Sequence, residues 1–116
     1  MIGQPEVLEA LRAVVAEKGP NYVYPEPVCV YAINGKPSCI VGHVYARLGL
    51  LSRVRTSEAA QEMFPDVFDS AALVVLEIAQ QVQDGAAAFR KRGSQPRGTW
   101  GEALAAAEHI GGVVSD

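Results

Sequence analysis

The side chains with the greatest chemical potential are two cysteines, Cys29 and Cys39, and two histidines, His43 and His109. Cys39 and His43 are four residues apart, which puts both on one side of a helix, and Cys29 with His109 would complete a four-ligand zinc set. That set would consume every Cys and His in the chain, it matches no paired-cysteine finger spacing, and it needs a histidine far along the sequence. Packed thiols and a hydrogen-bonded imidazole are therefore the expected state, with no metal and no cofactor. A disulfide depends on hairpin register. With Asn34-Gly35 as a two-residue turn, Cys39 falls opposite Val30 and Cys29 lies on the other face, so the pair cannot bond. A five-residue loop from Ala32 to Lys36 would bring them opposite, yet a reducing cytosol still favours two thiols.

Two further groups could make contacts with a partner. Arg90, Lys91, Arg92 and Arg97 form the one concentrated basic patch, with four positive and no negative side chains between Ala86 and Gly98. Such a patch suits phosphates, but it has a single neighbouring aromatic, Phe89, and a solvated helix end explains it as well. Tyr22, Tyr24, Tyr31 and Tyr45 gather around the hairpin, where amphipathic rings could form a partner-binding surface, although core packing accounts for at least half of them. Trp100 reads as an anchor for the last helix. Catalysis finds no foothold: the chain has no nucleophile elbow, phosphate loop, dinucleotide glycine pattern or paired metal-ligand motif.

The background composition fits that picture. A chain of 116 residues with 49% hydrophobic and 20% charged side chains can bury one core and is expected to be a single globular domain over residues 1–116. Its formal charge of −3 does not advertise nucleic acid as the main partner. No apolar run approaches a membrane span, and residues 1–10 lack the basic-then-apolar order of an export signal, so a cytoplasmic protein without membrane association is expected.

Periodicity then places the elements. Val7, Leu8, Leu11, Val14 and Val15 share one face of a helix from Pro5 to Lys18, punctuated by Pro5 at its start and Gly19-Pro20 at its end. Val28 to Ile33 reads as a strand, and Asn34-Gly35 is a hairpin turn with Pro37 limiting the return strand. Ile40, Val41, Val44 and Leu48 define a short helix, which Ser38 could cap and Gly49 close. A second short helix is expected over Glu58 to Phe64, stopped by Pro65. A longer helix begins near Asp69 or Ser70, and its stretch from Ala71 to Val82 is apolar around most of its circumference. Thr99-Trp100-Gly101-Glu102 has capping-box spacing and starts a final helix, which Gly111-Gly112 should end. The expected fold is mainly α with a minor α+β character: about four to five helices and one short β-hairpin near residues 28–40. Leu11, Val15, Val44, Leu48, Leu73, Leu76 and Leu104 should share one core. The apolar circumference of the central helix also suggests a homodimer.

The run Pro27-x-Cys29-x-Tyr31-x-x-x-Gly35-x-Pro37-x-Cys39-Ile40-Val41-Gly42-His43-Val44, with Gln83-Asp84-Gly85 and Thr99-Trp100-Gly101-Glu102-Ala103, resembles small uncharacterised proteins of actinobacteria and their bacteriophages. That resemblance implies no catalytic role. Together with the absence of catalytic motifs, it points to a non-enzymatic protein that binds another protein, such as a phage or mobile-element accessory factor acting on a bacterial host protein, with a phage or a bacterial gene both open as its source. The alternative is a nucleic-acid-associated regulator using the basic patch at 90–97.

Overall fold

The computed structural model describes residues 1–25, 31–33, 35–54, 64, 66–85 and 98–114. Helix α1 (Gln4–Lys18) buries the expected face of Val7, Leu8, Leu11, Val14 and Val15. The Gly3 N–H donates to the Glu6 carboxylate at 2.8 Å, which satisfies one of the donors that a helix start leaves open. Gly19 ends the helix at φ +96°, a conformation that costs glycine little.

The hairpin follows the two-residue turn read from the sequence. Strands β1 (Ala32–Ile33) and β2 (Lys36–Pro37) pair Ala32 with Pro37 and Ile33 with Lys36, and Gly35 has φ +76°. The Ser38 N–H carries the same register one step further, donating to the Tyr31 carbonyl at 2.9 Å. The strand is shorter than the expected Val28 to Ile33: Tyr31 lies outside it, while residues 28–30, with Cys29, and Asn34 lie outside the described residues.

Helix α2 (Ile40–Arg47) corrects the expected cap. Cys39, not Ser38, is the N-cap, its sulfur accepting the Gly42 N–H at 3.4 Å. The Ser38 hydroxyl is engaged with the Tyr24 hydroxyl instead, at 2.8 Å. Gly49, at φ +76°, closes the helix as expected, and a 3₁₀ turn (Leu51–Arg53) follows. Of the helix expected over Glu58 to Phe64, only Phe64 is described; its side chain is buried, and the rest of that expectation lies outside the described residues.

Helix α3 (Ser70–Gln83) starts where the sequence put it, with the Asp69 carboxylate accepting the Ala72 N–H at 2.8 Å. The amino terminus clasps that start: Ile2 bridges to Phe68, donating to the Val67 carbonyl and accepting from the Asp69 N–H. Gly85 and Gly98 both donate to the Val82 carbonyl, so the chain leaves α3 and returns to the same point before α4 (Trp100–Val114). The Thr99–Glu102 capping box is formed in both directions, at 2.7 and 3.0 Å.

The end of α4 differs from expectation, because the helix continues through Gly111 and Gly112 to Val114. Gly111 serves packing there. A Cβ at this position would lie 2.6 Å from Gln4 Nε2 and 3.2 Å from Leu8 Cδ1, so a larger residue here would displace the Gln4 amide of α1.

Among the described residues the architecture is mainly helical, four α-helices with one antiparallel hairpin. Helix α3 packs most extensively against α4 and also meets α1 and α2. One buried cluster joins all four helices and includes Leu11, Val15, Val44 and Leu76. Leu48, Leu73 and Leu104 pack against this cluster while remaining partly exposed, a looser position than expected for core residues. No helix among the described residues is long and apolar enough to cross a membrane.

Candidate functional site

Cys39, His43, Tyr22 and Trp100 converge where the end of α1, the 20–25 segment, the start of α2, the end of α3 and the start of α4 meet. Trp100, the first residue of α4, is fully buried there. Its indole stacks edge-on to Tyr22 (centroids 4.6 Å, 75°) and to His43 (5.1 Å, 70°). The backbone of the same turn is fastened to the segment after α1: the Trp100 N–H donates to the Tyr22 carbonyl and the Gly101 N–H to the Pro20 carbonyl, both at 2.8 Å. A Cβ on Gly101 would lie 2.7 Å from the Pro20 oxygen, so this docking needs glycine.

Below the rings lies a polar set. Gln83 is fully buried, and its Oε1 accepts the Ile40 N–H at 2.7 Å. The Asp84 carboxylate accepts from Gln83 Nε2 at 3.0 Å and from Gln80 Nε2 at 3.1 Å, and the buried Cys39 thiol is 3.7 Å from Gln80 Oε1. The amides of α3 thus complete the hydrogen bonding at the first turn of α2, where helix geometry leaves N–H groups without intrahelical acceptors.

His43 sits one turn above Cys39, with Nδ1 2.9 Å from the Cys39 carbonyl. A carbonyl only accepts, so Nδ1 carries the proton and Nε2 presents a lone pair in the neutral ring. Burial holds the imidazole below its usual value of 6.5, opposed first by the bond to the Cys39 carbonyl; Lys18 lowers it further, and Glu17 and the Ser38 backbone raise it. This geometry does not make a cysteine–histidine nucleophile pair, because Nδ1 is committed to the carbonyl rather than to the sulfur. His109 is exposed on α4, and Cys29 lies outside the described residues. Among the described residues no group of three or more His, Cys, Asp or Glu is arranged to hold a metal ion.

The four tyrosines divide. Tyr45 and Tyr24 are buried, Tyr45 within rings of Tyr31, Phe64 and Phe68, so neither offers a surface to a partner. Tyr22 and Tyr31 are half-buried, and Lys18 lies over the Tyr22 ring at 5.3 Å. Two exposed apolar residues accompany them: Val23 at 44% and Ile33 at 43% exposure. The Tyr24–Ser38 hydrogen bond ties the segment carrying Tyr22 and Val23 to the end of the hairpin carrying Tyr31 and Ile33. Arg90, Lys91, Arg92 and Arg97 lie outside the described residues.

A separate, shallow groove of about 260 Å³ runs between α1 and α2, lined by Glu6, Glu9, Ala10, Ala13, Arg47 and Leu48. Two carboxylates, one guanidinium and three apolar side chains make up this lining.

Sequence reasoning identified Trp100 as an anchor but passed over Gln83 and the His43–Trp100 contact. Gln83 had a signal available. It lies four residues after Ala79 and seven after Leu76, on the buried stripe of α3, so helical period alone puts a polar amide on the inner face. The His43–Trp100 contact joins residues 57 positions apart and has no local signature.

The chain matches no family model, and no curated protein or solved structure matches it significantly.

Proposed function

We propose that this chain is a small non-enzymatic protein that acts by binding another protein through its hairpin side. Exposure is the observation that carries the reading: Val23 and Ile33 stand open beside the half-buried Tyr22 and Tyr31, on segments joined by the Tyr24–Ser38 bond. Apolar and aromatic side chains with part of their surface free are the usual anchors of protein interfaces, and a hydrogen-bonded base holds them in place before binding. The resemblance of the Pro27–Val44 run to actinobacterial and phage proteins supports a bacterial protein as the partner and the host cytoplasm as the place of action. A homodimer belongs to the same reading, with a second copy as the occupant.

The test is a capture experiment with tagged wild-type chain and the double variant Val23→Asp, Ile33→Asp, both positions being exposed enough to change without disturbing the core. The reading expects a partner retained by wild type and lost by the variant at unchanged melting temperature. Sedimentation at micromolar protein distinguishes a second copy from a foreign partner, since the monomer is 12.3 kDa. Capture that survives the double variant rejects the hairpin side. Salt-sensitive binding to nucleic acid that disappears when Arg90, Lys91, Arg92 and Arg97 become Gln would replace this reading with the regulator.

A further inference from the structure

We propose that His43 is a pH-sensitive latch on α4: the neutral imidazole keeps Trp100 docked, and protonation releases the first turn of the helix from the Pro20–Tyr22 segment. The inference goes beyond partner binding and does not depend on it.

Three observations support the latch. Trp100 is fully buried between the rings of His43 and Tyr22, so a change in either ring is felt directly by α4. The Trp100 indole N–H has no hydrogen-bond partner among the described residues, which leaves a buried donor facing its neighbours. Finally, the His43 Nδ1 proton is committed to the Cys39 carbonyl, so the remaining nitrogen, Nε2, is an acceptor only while the ring is neutral. Protonation turns Nε2 into a second donor and adds charge to a partly desolvated ring packed edge-on against the buried indole, which weakens that contact. Attraction between a cationic imidazole and the indole face works in the opposite direction, but burial is the largest influence on His43 and favours the neutral form.

The surrounding charges set where the latch responds. From α1, Lys18 opposes protonation and Glu17 favours it. Arg47 follows one turn on along α2. Among the described residues Lys18 and Glu17 are the charges that act on the imidazole; on the other helices the Asp84 carboxylate accepts from Gln80 and Gln83, and the Glu102 carboxylate from the Thr99 N–H. The 20–25 segment contributes the Tyr22 ring, which meets Trp100 on its other edge.

Hydrogen exchange of the Trp100 and Gly101 amides is the decisive measurement, because both donate outside the helix, to Tyr22 and Pro20. After correction for intrinsic rates, their protection should fall between about pH 8 and pH 5, by up to about tenfold for each unit that folding depresses the His43 pKa. Emission from Trp100, the single tryptophan, should change over the same range. His43→Gln should leave both signals flat. Should that variant fail to fold, the exposed α1 positions carry the test: Lys18→Gln should move the transition to higher pH and Glu17→Gln to lower pH. Flat wild-type protection, acid loosening that persists in His43→Gln, or shifts by the two α1 variants that are absent or reversed would overturn the latch.

Discussion

Two regions of this protein's interior are held in different ways. Around Leu76, where α3 meets α1 and α4, the interior consists of aliphatic and small side chains: Leu11, Val14, Val75, Ala79, Ala103 and Ala107. At the start of α2 the interior contains Gln83, Cys39 and the His43–Trp100 pair, and hydrogen bonds satisfy it as much as packing does. The first region gains stability from removing apolar surface from water, a non-directional effect that tolerates small adjustments. The second gains little net energy from each hydrogen bond but loses a good deal when one partner is removed. The contrast sets the junction of α1, α3 and α4, joined by apolar packing, against the start of α2, whose seating on α3 uses a few polar atoms.

The comparison is broken most severely in the apolar region. Leu76→Ala should cost ~2–5 kcal/mol in equilibrium denaturation, as lost transfer energy plus a cavity. A loss of less than about half a kcal/mol would mean that the interior there collapses onto the gap. In the polar region Gln83→Leu, close in volume and also apolar, should still cost ~1–3 kcal/mol because the buried Ile40 N–H loses its acceptor. Stability unchanged in that variant would show that packing alone governs both regions.

A third difference between the regions appears in their response to acid. The folded pKa of His43 lies below 6.5, so the folded state binds fewer protons than the unfolded chain as pH falls. The His43 contribution is therefore complete above the unfolded value and declines from there down through the depressed folded value. His43→Gln should flatten this slope in denaturation midpoints measured across the window, whereas Leu76→Ala should lower the whole curve without changing its shape. The smallest effect belongs to neither interior. Arg12 and Glu108 join α1 to α4 by a 2.7 Å ion pair, with side chains 55% and 41% exposed. Arg12→Ala should change stability by less than ~1 kcal/mol, and by still less in high salt.

The same division marks what could be read along the chain. Sequence alone determined the helix faces, the Asn34-Gly35 turn, the start of α3 near Asp69 or Ser70 and the Thr99–Glu102 box, because each is a local pattern completed within a few residues. Only tertiary structure decided that Cys39 caps α2 while Ser38 bonds Tyr24, since the partner of the Ser38 hydroxyl comes from another segment. The continuation of α4 through Gly111 and Gly112, against their weak helix preference, was likewise not legible in the local sequence. Tertiary structure also split the four tyrosines into two buried and two half-buried, and set His43 against Trp100. Those outcomes depend on which helix faces meet, a property of the assembled chain that no local period encodes.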